Sequence, residues 1–558
     1  MRFLRTAVSI ALIQAAAACA STQAPPASGP AAAGADRPPL VVLVVVDQLR
    51  TDLLTRYDDL FTGGFRRLLD NGHFYVNASH AHAATETAVG HASLATGTHP
   101  NKHGIIGNGW YEKPAGTWVF VENIADSTVK IVGHPAGRGI SPAHLMRPGF
   151  AEWVKAADRK SIVASVSGKD RGAVQPAAHV RDGYVYWFDP AAGKFVTSTY
   201  YRTSDPAWIT RFNATTLQAH RADTVWDLRV PAAGLSRANR DTSANEGNGT
   251  NSYFPHRFSV EGRPDAFWGW WAGTPYEDAA TLELAQTMVT SLGLGRDASP
   301  DFLNVSVSAT DYVGHGYGPL SREQLDNLLR LDRSLGEFFT FLDQTVGAGN
   351  WVMMLSADHG VTDTPEDLIA RGEFGYRATP DDLRMLDSLR RMAAANPDPA
   401  AGARQLAAEL KKLEYVVEAY THEELSRGQP RDSFEVLERR STYPRRASGL
   451  FSREGVEVRF KPGVLRGPRG SSHGTAWWYD RHVPMIFMGP GISAARDTSR
   501  AETVDFAPTM AAVLGIPYPS DLDGKVLPAI AGDHLEWKGI GLNTSNRLPA
   551  GTVHPRAR

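Results

Sequence analysis

The apolar positions of this chain fall into short unbroken runs rather than into polar–apolar alternation. Leu40–Val46 (LVVLVVV) has no polar member and is rich in β-branched residues, the pattern of a strand buried on both faces. The run stops at Asp47, and LRTDLLTRY after it reads as a helix. Ser161–Gly172 (SIVASVSGKDRG), Asp301–Pro319 (DFLNVSVSATDYVGHGYGP) and Trp351–Gly360 (WVMMLSADHG) repeat the design, a strand-like run followed by polar residues. His482–Ile492 (HVPMIFMGPGI) is a further short strand ending in a turn. After Pro319, Ser321 and Gln324 resemble a capping box. Leu325, Leu328, Leu329, Leu335, Phe339 and Leu342 then recur at helical spacing, as in a helix packed on a core. Strands alternating with helices predict an α/β fold with a mostly parallel central sheet, flanking helices and right-handed crossovers.

Two regions depart from this rhythm. Residues from about 180 to 275 are rich in aromatics (YVYWF, FWGWW), and residues from about 365 to 450 carry helical charge patterns such as QLAAELKKLEYVVEAY. Both read as insertions into one catalytic domain spanning about residues 39–545. The first residues, about 1–24, have the form of a secretory signal: Arg2 and Arg5, the apolar stretch Ala7–Ala18, then small residues. That stretch is too short to span a bilayer comfortably. An Ala/Pro/Gly/Ser-rich segment, about 25–38, reads as a flexible leader. These features predict a periplasmic or secreted protein. AAAC before and at Cys19 weakly resembles a bacterial lipoprotein processing site, with Ala16 where leucine is usual. Plain cleavage is therefore expected, with lipid anchoring to the outer membrane through Cys19 as the alternative.

Composition narrows the chemistry. A formal net charge of −2 gives no overall attraction to nucleic acid or anionic membranes, so no nucleic-acid partner is expected. Cys19 is the sole cysteine, which removes disulfides, thiolate metal sites and a cysteine nucleophile from the folded region. Asp47, Asp358 and His359 lie where open α/β sheets place ligands, beyond the carboxyl ends of strands. Asp311 and His315, four residues apart in DYVGH, can reach one point from a helical turn, and His473 sits in the Gly/Ser-rich SSHGT. Six oxygen and nitrogen donors of mixed carboxylate and imidazole character suit two zinc ions best, with manganese or iron as alternatives.

A hydroxyl and a group of donors complete the set. Thr87 precedes AVGHASLAT, a stretch able to open a helix, and helix N-termini offer free N–H groups to anions. Thr85 is a neighbouring competitor that spacing alone does not separate; His91 is expected to pack inside the turn. Asn108 in GNGWY reads on its own as an Asn–Gly turn. Lys169 and Arg171 in GKDRG follow a strand, and on extended backbone they would project to the same side. There they could hold the oxygens of an anion, arginine through its planar fork and lysine as a point charge.

Taken in order, VVVDQLR, TETAVGH, GNGWY, GKDRG, TDYVGH, SADHG and SSHGT make the chain resemble the alkaline phosphatase superfamily, in particular its PafA-type bacterial phosphate monoesterases, over about residues 40–530. The resemblance implies one zinc held by Asp311, His315 and His473 and another held by Asp47, Asp358 and His359. It implies Thr87 as the metal-bound nucleophile that becomes a phosphothreonine, and Asn108, Lys169 and Arg171 as donors to the transferred phosphoryl group. Small-molecule phosphate monoesters are the substrates it implies. The alternative inside the superfamily is a phosphodiesterase or nucleotide pyrophosphatase, which shares the metals, threonine and asparagine but need not carry the Lys/Arg pair. Sulfatase-type activation is absent around Thr87, and no cysteine is present there to be oxidised.

Overall fold

The computed structural model describes residues 37–532, apart from 135–136, 242–245, 248–251 and 260–265. The expected signal, most of the leader and Cys19 lie outside the described residues. A nine-stranded sheet organises the rest. Its strands in chain order are β1 (Leu40–Val46), β2 (His73–Ser79), β3 (Val163–Ser167), β4 (Tyr184–Asp189), β5 (Lys194–Val196), β6 (Asp301–Val307), β7 (Trp351–Ser356), β8 (Met485–Met488) and β9 (Ala495–Glu502). Their spatial order is β9-β2-β8-β7-β1-β6-β3-β4-β5. The central run β7-β1-β6-β3-β4 is parallel throughout, with Val46 opposite Val307 and Val45 opposite Ser356. The strand expected within His482–Ile492 runs antiparallel to both of its neighbours, so the sheet is mixed but mostly parallel.

β1 is buried along its whole length, and its residues divide by pleat. Leu40, Val42, Val44 and Val46 pack into one hydrophobic layer; Val41, Leu43 and Val45 pack into the other. A strand with helices on both faces has no position for a polar side chain, which is why the sequence reads as an unbroken run. Five helices matter for the site: α1 (Thr87–Thr96), α2 (Asp170–Ala177), α3 (Pro275–Leu292), α4 (Ala309–Tyr317) and α5 (Arg322–Leu342). The predicted stripe of α5, from Leu325 to Leu342, is buried in the first layer. Ser321 caps α5 by accepting from Gln324 N at 3.0 Å. The Gln324 carboxamide does not close a box; it donates to Thr310 O at 2.9 Å and ties α5 to α4.

The aromatic region begins with β4 and β5, which extend the main sheet. Phe188, Phe195, Phe212, Trp268 and Trp271 join the same layer as β1. Residues 380–460 carry a smaller core of their own, built on Leu386, Leu406, Leu410, Phe451 and Val456.

Candidate active site

Three neighbouring parallel strands end at one edge, and each ends in chemistry. Asp47 follows β1, its N–H donating to Val307 O at 3.0 Å. Asp358 and His359 follow β7, and α4 starts just beyond β6. Asp278 Oδ1 accepts from Ser308 N and Ala309 N at 2.8 and 2.9 Å, fixing the start of α4. On α4, Asp311 and His315 are one turn apart, with His315 Nε2 at 3.2 Å from Asp311 Oδ1. His473 arrives from the 470–475 loop, its Nε2 at 3.1 Å from His315 Nε2 and 3.7 Å from Asp311 Oδ1. The second trio is as compact: His359 Nε2 lies 3.5 Å from Asp47 Oδ1 and 3.7 Å from Asp358 Oδ2. The trios adjoin, since the His359 and His473 rings stack with centroids 3.6 Å apart.

The donor set fits cations. Each imidazole gives its Nδ1 to a backbone carbonyl: His315 to Ser471 O at 2.9 Å, His473 to Thr85 O at 2.7 Å and His359 to Gly360 O at 3.0 Å. That orients the rings and aims three Nε2 atoms at the carboxylates. Asp47 Oδ1 is buried without a hydrogen-bond donor, and Asp358 Oδ2 has only His91 Nδ1 near it, at 3.3 Å. Three buried carboxylates face one ammonium, Lys169 Nζ, which lies 2.6 Å from Asp47 Oδ2 and also pairs with Asp311 Oδ2. The remaining negative charge asks for further cations.

Ionisation follows this crowding. Burial, then repulsion from Asp311 and Asp358, holds the Asp47 carboxyl well above the usual range. Burial pushes Asp311 up, but Lys169, His315 and His473 more than offset it, and its carboxyl lies well below the usual range. Burial likewise opposes ionisation of Asp358, and His359 and His91 outweigh it. Burial lowers His359 and His473, which favours the neutral form that ligates metal.

Thr87 is the first residue of α1 and is buried, with Oγ1 3.4 Å from His359 Nε2. Thr85, the competitor, donates its hydroxyl to Thr475 O at 2.9 Å. The approach of α1 is set by Gly90: a Cβ there would lie 2.0 Å from Asp358 O. His91 is buried, with Nδ1 at 2.8 Å from Thr87 O and Nε2 at 2.9 Å from Ser306 Oγ. Asn108 stands beside the start of α1; its Oδ1 accepts from Ala88 N at 2.9 Å, which leaves the NH2 as its donor.

The Lys169–Arg171 segment corrects the expectation of an extended pair. Lys169 has extended backbone, but Arg171 lies within the first turn of α2. Ser167 Oγ accepts from Lys169 N at 3.0 Å, and Gly172 N donates to Lys169 O at 3.1 Å, so the chain turns into a helix here. Both side chains still line one cavity, together with Tyr312, whose ring lies 4.8 Å from Lys169 Nζ.

Two residues of this site escape sequence reasoning. Gln48 donates its backbone N–H to Asp358 Oδ1 at 3.1 Å and its side-chain amide to Asp311 Oδ1 at 2.7 Å, so it bridges the two trios. It does so at φ 68°, a left-handed backbone that costs a non-glycine residue about 1 kcal/mol or more. Gly314 makes room for it, since a Cβ there would lie 1.9 Å from Gln48 Oε1. Glu86, the residue before α1, accepts from Asn108 N at 2.6 Å and so holds the asparagine.

A family profile described as type I phosphodiesterase / nucleotide pyrophosphatase matches residues 41–453, and the chain belongs to that family, within the alkaline phosphatase superfamily. Inside it, the chain is 33% identical over 525 residues to alkaline phosphatase PhoV of Synechococcus elongatus, covering 88% of this chain and 92% of the relative. It is also 33% identical over 524 residues to alkaline phosphatase PafA of Elizabethkingia meningoseptica, covering 89% and 95%. The crystal structure of wild-type alkaline phosphatase PafA superimposes with a TM-score of 0.82 at 31% identity, over 89% of this chain and 99% of that one.

Proposed function

We propose that this chain is an alkaline phosphatase, a phosphoric monoester hydrolase that acts on small-molecule phosphate monoesters through a covalent intermediate on Thr87. The enzyme class rests on relatives named alkaline phosphatase that match nearly the whole chain. The observation that carries the mechanism is the position of Thr87 Oγ1, at the start of a ten-residue helix and 3.4 Å from His359 Nε2. Asp47, Asp358 and His359 would hold one zinc ion, and Asp311, His315 and His473 another. When bound, these ions would lower the pKa of the threonine hydroxyl and of the attacking water and neutralise the oxygen that departs.

In the first step Thr87 Oγ1 gives its proton to solvent and forms a bond to phosphorus while the bond from phosphorus to the leaving oxygen breaks, and that oxygen takes a proton from solvent. Water then attacks the phosphothreonine, releasing phosphate and restoring Thr87. Asn108 donates its NH2 to a phosphoryl oxygen, and Lys169 and Arg171 stabilise charge on the transferred group, where phosphoryl transfer most needs protein help. The N-terminus of α1 adds its dipole to the same region. The signal-like start of the sequence supports export to the periplasm or beyond, and among the described residues no helix is long and apolar enough to cross a membrane.

The description of the matching family supports a second reading, diester or pyrophosphate hydrolysis at the same site. A monoester dianion gains more from two cations than a diester monoanion does, so the pair supports the monoester reading. The test is kcat/KM of the zinc-loaded enzyme on an aryl phosphate and on its methyl diester, repeated for Lys169→Ala/Arg171→Ala. A monoester preference that collapses in the double variant is expected. A diester preference indifferent to both cations would establish the second reading instead.

A further inference from the structure

Beside His473 lies a cavity of about 760 Å3, with Glu86, Thr362, Ser472 and Thr475 on the wall nearest the site. Seven arginines and three glutamates line it, with no lysine or aspartate. Two of the arginines are scaffold. Arg377 grips Glu366 at 2.6 and 2.7 Å and also donates to Gly467 O and Gly470 O, pinning the loop above the cavity. Arg446 pairs with Glu112 and donates to Gly104 O and His144 O.

The other five have no comparable commitment. Arg459 is 9% exposed and sits 4.2 Å over the Phe434 ring; its Nε and Nη1 are covered by protein, and Asp432 lies 3.8 Å from its guanidinium. Arg453 lies over the Tyr111 ring at 4.4 Å. Among the described residues, Arg445, Arg453, Arg466 and Arg469 have no carboxylate within salt-bridge distance. The glutamates offset only part of this charge. Glu86 accepts from Asn108 N, and Glu457 accepts from Ser452 and pairs with His422. Burial, then the neighbouring Glu457, pushes Glu438 up to about 8, so it is largely neutral at pH 7.

Guanidinium groups on the cavity wall without a carboxylate partner leave their N–H donors open to an anion. Phosphate is the acceptor whose oxygens match the arginine fork. The location narrows the role: Gly470, at φ 60°, packs so closely that a Cβ would lie 1.9 Å from His315 O, so the loop bearing Arg466 and Arg469 is fixed against the Asp311/His315/His473 trio. We propose that this cavity is a leaving-group subsite for phosphate monoesters whose leaving group carries a further phosphate. The proposal rests on the phosphatase reading above.

The test compares kcat/KM of the zinc-loaded enzyme on glucose 1,6-bisphosphate and glucose 6-phosphate. It also measures calorimetric affinity for the bisphosphate in zinc-loaded Thr87→Ala protein. Arg453→Gln/Arg469→Gln and, separately, Arg459→Gln are compared with the parent; the first pair avoids the buried arginine in case its loss impairs folding. The expected result is a bisphosphate preference that drops about tenfold or more in the variants, with a parallel loss of bisphosphate affinity, as befits charge-assisted hydrogen bonds. Hydrolysis of both sugars with a ratio and an affinity indifferent to the arginines overturns the subsite and leaves the phosphatase reading standing. Arginine-dependent binding without hydrolysis of either sugar keeps the anion site and overturns the phosphatase reading.

Discussion

His315 Nε2 and His473 Nε2 face each other across 3.1 Å, while each ring spends its Nδ1 proton on a backbone carbonyl. Burial opposes protonation of His315, but Asp311 outweighs it and raises His315 above its usual range, while burial holds His473 well below; the 3.1 Å contact is one that a proton on His315 bridges and that a shared cation would take over. His473→Ala is therefore expected to lower bound zinc from two ions to one per chain, counted by elemental analysis of the folded protein. Retention of both ions would remove His473 from the ligand set. Chelation of the parent should lower its Tm, because cations that bind the native state alone stabilise it, and zinc should restore both Tm and activity.

Thr87 and Thr85 separate cleanly by their partners. Thr87 Oγ1 faces His359 Nε2, whereas Thr85 Oγ1 is committed to Thr475 O at 2.9 Å. Thr87→Ala should lower kcat by about a thousandfold or more with little change in Tm, since nucleophile removal leaves only binding and electrostatics. Thr85→Ala should cost about 1 kcal/mol of stability for a lost hydrogen bond and keep most of kcat. Trapping a phosphorylated peptide and finding the phosphate on a residue other than Thr87 would reverse the assignment.

Gln48 ties Asp358 directly to Asp311. Gln48→Ala keeps the backbone N–H to Asp358 but removes the amide from Asp311. The expected outcome is about 10- to 100-fold weaker zinc binding at the Asp311/His315/His473 trio, as for other supporting contacts to metal ligands. Competitive titration with a chromophoric chelator measures it. An unchanged affinity would mean the amide only packs.

What the sequence made legible follows from range. Leu40–Val46 and Trp351–Ser356 announce themselves because a strand covered on both faces must be apolar at every position, a local property. Asp47, Asp358 and His359 are legible for the same reason, standing directly after those runs. Gln48 was not, because its side-chain and backbone partners lie 263 and 310 positions away and its φ of 68° leaves no mark in the residue pattern. The reading of Lys169 and Arg171 as an extended pair failed for a local reason, Ser167 Oγ and the first turn of α2 capturing the backbone. The aromatics of YVYWF read as decoration because β4 lies on the sheet far from β1, and nothing in the run itself says which strand it will pair with.

The last prediction concerns histidines beneath α1 that the chemistry does not use. Ser93 Oγ lies 3.3 Å from His82 Nε2 and 3.1 Å from His103 Nε2, while His103 Nδ1 accepts from Ile105 N. His82 Nδ1 and both His99 nitrogens have no hydrogen-bond partner. Burial, then neighbouring histidines, holds His82 and His103 well below the usual range, and burial with Arg440 brings His99 to about 4. A histidine whose pKa is lower folded than unfolded binds its proton in the unfolded chain first. Its contribution to stability is therefore present above the ordinary histidine pKa of about 6.5 and is lost as pH falls toward the folded value, at up to about 1.4 kcal/mol per pH unit per histidine. Buried carboxyls such as Glu438 and Glu246, raised to about 8 and about 9, act in the opposite sense, so the absolute Tm curve mixes both. The difference between parent and variant isolates the histidine. His99→Gln should flatten the fall in Tm between pH 6.5 and 4 relative to the parent while leaving the two proteins parallel above pH 7.5. Parallel curves through the acid range would show that His99 is protonated as readily in the folded protein as in the unfolded chain.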